Sequence, residues 1–219
     1  MMSEHRIGYL VCNENGVSFP EYSWSEGTTH ETDNPNYIFF AYKDLNVASF
    51  IQPALDNIQN PIFWEVKLWG GSHDDPMRIN GSKCEAIKLH KIQTPTDSQR
   101  FNFAALLSMN YLKNENFIKW TLGYLSGQDK SKETAQNFSE KIMLDMCLDV
   151  PDDKAYLSSA HALLESVISG DYRLRCACSA HRLIWDAPTD LDVTIFAKCA
   201  MMLSENEVFE VIKSNAKHI

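Results

Sequence analysis

KCEAIKLHKI–QTPTDSQR–FNFAALLSMNYLK, residues 83–113, is the stretch in which the chain changes texture. Its first third carries Cys84, Ala86, Ile87, Leu89 and Ile92 among lysines, a β-type pattern bounded by turn formers. From Phe101 onward, apolar residues recur at three- and four-residue spacing, as one face of a helix requires. The switch falls at residues 94–100, TPTDSQR. The fold class read from it is α+β: a small antiparallel or mixed β-rich half, residues 1–95, and an all-helical half of about seven helices, residues 100–219. TPTDSQR is short and poor in glycine, so the two halves are expected to pack against each other.

Upstream of the switch, IFWEVKLWG (62–70) reads as a strand ending in glycine, and YIFFAY (37–42) as an aromatic strand. VASFIQPALDNI (47–58) has helical spacing interrupted at Pro53. RIGYLVC (6–12), the turn NENG and VSF read as an N-terminal hairpin. Residues 20–36 hold Ser, Thr, Gly, Asp, Asn and two prolines, which reads as a long loop with Trp24 its one large apolar residue. Such loops often carry function, so Trp24, Thr28 and His30, beside Tyr37 and Tyr42 of the aromatic strand, are candidates to line a cleft.

Downstream, seven helical segments are punctuated by capping residues. Ser131, Asp152, Asp171, Thr189 or Asp190, and Ser204 with Glu207 occupy N-cap positions, while Gly127 and Gly170 occupy C-cap positions. No fixed repeat period is present, which argues against a solenoid.

Of 219 residues, 44% are hydrophobic and 22% charged, with five Trp and eleven Phe, an ordinary globular composition able to fold without staples. No apolar run approaches the ~18 residues a bilayer span needs, and MMSEHRIGYLV does not read as an export signal, so a cytoplasmic location is expected. Six cysteines scattered among apolar neighbours then read as buried free thiols. The net charge of −9, with dispersed basic residues, argues against nucleic-acid backbones and anionic membranes as partners.

Several constellations hold residues capable of chemistry. Cys176 and Cys178 fall on nearly opposite helix faces, leaving one adjacent Cys178–His181 pair, too few ligands for a closed zinc site. His73, Asp74 and Asp75 share the turn GGSHDDP, which as an Asp-Pro turn needs no metal. His161 and Glu165 have contact spacing on one helix. No phosphate-cradling glycine pattern is present, and the Ser23, Ser25, His30 and Asp33 set lacks a nucleophile elbow. No catalytic residue, metal or cofactor is assigned. Arg173, Arg175 and Arg182 beside Trp185 form the one positive stripe of the helical half, suited to an anionic group or partner, with pairing to Asp171, Asp186 and Asp190 as the plain alternative.

Three resemblances add to this reading. GYLVCNENG, YIFFAYKDLNVASF, IFWEVKLWG and KCEAIKLHKI, in that order over residues 7–93, resemble an uncharacterised domain of phage and bacterial proteins. The same order looks like small ADP-ribosyltransferase domains. That likeness implies NAD as ligand, with Arg6, Tyr37 or Tyr42, and Glu65 or Glu85 as the residues on offer. SGDYRLRCACSAHRLIWDAPTDLDVTIFAKCAMML (169–203) resembles the helical core of bacterial immunity proteins, which implies a protein partner. With no coherent catalytic set, the reading is a non-catalytic interaction protein, with an NAD-using ADP-ribosyltransferase as alternative.

Overall fold

The computed structural model describes residues 4–18, 21–34, 38–71, 74–111, 114–147, 154–186 and 193–216. The chain divides into two compact units, residues 1–94 and 95–219. The architecture is α+β, with a six-stranded antiparallel sheet in the first unit and seven helices among the described residues of the second.

In the first unit the strands are β1 (Arg6–Cys12), β2 (Val17–Ser18), β3 (Tyr22–Ser23), β4 (Thr29–Glu31), β5 (Phe39–Tyr42), β6 (Ile62–Trp69), β7 (Arg78–Gly81) and β8 (Lys83–His90), with one helix, α1 (Leu45–Leu55). The large sheet has the order β4-β8-β6-β1-β5-β7, all pairs antiparallel. β7 runs through Ser82 straight into β8, and the Ser82 amide donates to the Trp69 carbonyl, so the sheet curls on itself. Only glycine fits two of the close approaches this demands. A Cβ on Gly8 would lie 2.8 Å from that of Ala41, and one on Gly81 would lie 2.6 Å from the Trp69 carbonyl oxygen.

Curling encloses one face, whose core holds Leu10, Cys12, Phe39, Ala41, Trp64, Val66, Leu68, Ile79, Cys84 and Ala86. Burial pushes the Cys12 thiol up to about 12, consistent with an inert packed sulfur. α1 lies against the other face, where the buried Tyr42 hydroxyl donates to Gln52 Oε1 at 2.7 Å. Asp44 caps the helix by accepting from the amides of Asn46 and Val47.

Four local readings need correction. The stretch read as one long loop contains β3 and β4, because Tyr22 and Trp24 are drawn into the core and His30 pairs with Cys84. The NENG turn forms, with Gly16 at φ 73°, but β2 pairs with β3 and not with β1. Pro53 does not interrupt α1. It sits in the last turn, where the loss of one backbone bond is tolerated. β7 was missed, since its sequence RING carries no run of β-formers.

The helices of the second unit are α2 (Asp97–Tyr111), α3 (Glu115–Leu125), α4 (Lys132–Cys147), α5 (Lys154–Ser169), α6 (Tyr172–Asp186), α7 (Val193–Met202) and α8 (Glu205–Ala216). α2 begins inside TPTDSQR. Arg100 to Ser108 are all buried, and the helix is surrounded by α5, α6, α7 and α8. α5 lies between α4 and α6. The Ser131 and Asp171 caps and the Ser204–Glu207 capping box form, and Gly127 and Gly170 take positive φ. Asp152, Thr189 and Asp190 lie outside the described residues. Among those residues, no helix is long and apolar enough to cross a membrane.

Candidate functional site

The two groups of candidates read from sequence meet different fates. Trp24 is 6% exposed, and its indole Nε1 donates to Ser18 Oγ at 2.7 Å. The His30 ring lies 4.7 Å from those of both Tyr22 and Trp24, with Nε2 2.9 Å from the Ser23 carbonyl. Thr28 Oγ1 closes a turn with Ser25. Tyr42 is buried, and that burial raises its hydroxyl pKa. Trp24 packs in the core with His30 against it, and Tyr42 packs against α1, so these side chains are engaged internally and do not form one cleft. Tyr37 lies outside the described residues.

The residues implied by the ADP-ribosyltransferase likeness do not converge. Arg6 pairs with Leu68, whose side chain is in the core, whereas Glu65 and Glu85, reached at odd register steps, stand on the outer face. Arg6 is held at its edge by Asp74 and the Asn80 carbonyl. Glu65 Oε2 lies 2.9 Å from His90 Nε2, and the Tyr9 ring meets His90 edge-on at 5.6 Å. Burial first, and the carboxylates of Glu65 and Asp44 after it, raise the Tyr9 hydroxyl pKa. A cleft of about 620 Å³ lies at the other end of α1, lined by Asn13, Glu14, Glu21, Gln52, Asp56 and Asn57 among others.

The arginine group does form a surface, on α6. The helix starts where Gly170 ends α5 in a left-handed turn and Asp171 accepts from the Leu174 amide at 3.1 Å. Its inner face is made of small and branched residues: Cys176, Ala177, Ser179, Ala180, Leu183 and Ile184 are all buried. Ser159 of α5 donates to the Ser179 carbonyl at 3.0 Å, with the two hydroxyls 2.8 Å apart, so α6 is fixed in rotation about its axis.

That rotation sets what faces outward. Leu174, Arg175, Cys178, His181, Arg182 and Trp185 occupy a stripe roughly 120° wide at 3.6 residues per turn. Arg175 and Arg182 run along one edge, Leu174 and His181 along the other, and Cys178 and Trp185 down the middle. Trp185 is 50% exposed and stacks on His181, ring centroids 5.9 Å apart and 18° from parallel. Leu174 is 39% exposed. Arg182 donates to Ser158 of α5. Among the described residues, neither Arg175 nor Arg182 forms a salt bridge with a carboxylate.

No family model, curated protein or solved structure matches this chain. The α6 surface must therefore be read from its own chemistry. Arg173 does not belong to it. Helical period turns it about 160° from Arg175, toward α2, where Arg100's own burial first, and the charge of Arg173 after it, lower the pKa of the Arg100 guanidinium. Leu174, Cys178 and His181 are not among the binding candidates that the sequence offers. Plotting α6 at its helical period brings all three into the stripe. The Asp186 side chain and Asp190 lie outside the described residues.

Proposed function

We propose that this chain is a cytoplasmic, non-catalytic protein-interaction protein that docks a partner on the outer face of α6, in a phage or toxin–immunity setting. The observation that carries this is a half-exposed tryptophan flanked by two arginines that no described carboxylate neutralises. Tryptophan and arginine are the residue types that dominate binding energy when an interface covers them. An exposed Trp with a ring-stacked neighbour also loses little conformational freedom on docking. The helical half's likeness to immunity proteins points the same way, toward a protein partner. The ADP-ribosyltransferase alternative has Arg6 on the opposite sheet face from Glu65 and Glu85, so titration with NAD is expected to give no saturable heat.

The test is affinity capture of the tagged full chain at native expression, comparing the parent with Arg182→Glu, Trp185→Ala and, as control, Lys132→Glu on α4. A partner retained by the parent and the control but lost from both α6 variants is the expected result. Identical retention by all four chains would refute docking on α6.

A further inference from the structure

We infer that the occupant of the α6 stripe is an acidic amphipathic helix of a partner protein, an inference that rests on the interaction reading above. The stripe is straight, one helix wide and stepped by threes and fours: 174, 178, 181 and 185 along one line, 175, 178, 182 and 185 along the other. That spacing is what side chains of a second helix interlock with. From Leu174 to Trp185 it extends roughly 16 Å at 1.5 Å per residue, about three turns.

Its chemistry is split lengthwise. The arginine edge carries Arg175 and Arg182, two positions seven residues apart, roughly 10 Å along the axis. A facing helix with two carboxylates seven residues apart meets both, and guanidinium–carboxylate pairs are the stronger, geometrically selective kind. Down the middle, Cys178 and the Trp185 ring offer an apolar seat for leucine-sized side chains between those carboxylates.

Two other occupants fit less well. A second copy of this chain, docked through α6 about a two-fold axis, sets Arg175 of one copy against Arg182 of the other, like charge on like, between molecules each carrying −9. A nucleic acid would find only two arginines on the stripe of an acidic chain, too few phosphate contacts to hold it.

The experiment uses the full chain and a labelled helical peptide of about 21 residues, long enough to hold helix in water. The peptide bears glutamates seven residues apart with leucines between them. Three further ligands are compared by fluorescence anisotropy: the same composition with the glutamates moved to the opposite face, a lysine-for-glutamate version, and a thymidine oligonucleotide. The designed peptide is expected to bind at least about tenfold more tightly than the rotated one, and to weaken by about tenfold with Arg182→Glu or with Trp185→Ala. Raising salt from about 50 to about 300 mM should weaken it further. The doubly reversed chain, Arg175→Glu with Arg182→Glu, should exchange preference and take the lysine peptide, a gain that misfolding cannot mimic.

Equal binding of designed and rotated peptides overturns the inference, as does preference for the oligonucleotide. A dimer in light scattering that the α6 variants dissolve overturns it in favour of self-association. If the peptides fail while capture from cells still depends on Arg182 and Trp185, the acidic-helix inference falls and the interaction reading stands. If capture is also indifferent to those residues, both fall.

Discussion

At the scale of single residues, the structure is most exacting where backbones touch. Gly8 sits mid-strand with Ala41 behind it, and nothing there can yield without moving β5. Gly8→Ala is expected to destabilise the first unit by about 1–3 kcal/mol, read as an earlier midpoint in urea unfolding at constant slope. Thr121 presents the opposite case. It is fully buried in α3, and among the described residues its hydroxyl has no hydrogen-bond partner. Thr121→Val removes an uncompensated polar atom at nearly constant volume, so stability should be unchanged or rise by up to about 1 kcal/mol. A loss greater than that would mean the hydroxyl is paired in solution. Neither environment can be read from sequence. Glycine in GYLV and threonine in KWTL obey no local rule that separates a tight core contact from a tolerated surface residue. The same limit explains Trp24 and His30. Polar flanking residues made them resemble loop side chains, whereas long-range pairing of His30 with Cys84 turns that segment inward. Periodicity inside a helix, by contrast, is a local property: at 3.6 residues per turn Arg175, Arg182 and Trp185 share one face, and Arg173, grouped with them by sequence proximity, falls on another.

At the scale of elements, helix ends were the most legible features and strand partners the least. Ser204 and Glu207 satisfy one another's backbone donors at the start of α8, a pattern carried wholly by residues three apart. Ser204→Ala should cost about 1 kcal/mol in thermal or urea unfolding. The beginning of α8 is also tied to distant segments. Glu205 accepts from Ser98 of α2 at 2.8 Å and from Lys130 at 2.7 Å. Burial opposes ionisation of Glu205, but the hydrogen bonds from Lys130 and Ser98 outweigh it and hold the carboxyl below its ordinary 4.5. A depressed folded-state pKa means that the contribution is fully present above 4.5 and is lost as pH falls through the lower folded value. Glu205→Gln should therefore lower stability at neutral pH by about 1 kcal/mol and show a shallower loss between roughly pH 5 and pH 3. A parallel pair of pH–stability curves would refute the assignment. No sequence pattern links Ser98, Lys130 and Glu205, because their meeting depends on how α2 and α8 pack. β7 escaped notice for a related reason. RING forms a strand only because β5 is beside it, and its isolated propensity is poor.

At the scale of the whole molecule, the change of texture at residues 94–100 coincides with a change in how contacts are made. Residues 1–94 build a sheet through pairings distant in sequence, while residues 95–219 are built of helices surrounding α2. Each unit encloses its own apolar interior. In the first it is formed by Leu10, Trp64, Val66 and Leu68. In the second it includes Phe101, Phe103, Leu107, Leu163 and Leu183. A unit that buries its own core should fold without the rest of the chain. Residues 95–219 expressed alone are therefore expected to give a helical circular-dichroism spectrum and one cooperative thermal transition. Because α6 is fixed by Ser159, Ser179 and its neighbours within this unit, the fragment should also keep the α6 surface, and with it the dependence of partner capture on Arg182 and Trp185. A broad, non-cooperative melt with exposed apolar surface would show that the helices need residues 1–94 to order them. A cooperative fragment that has lost the partner would place part of the docking surface in the first unit.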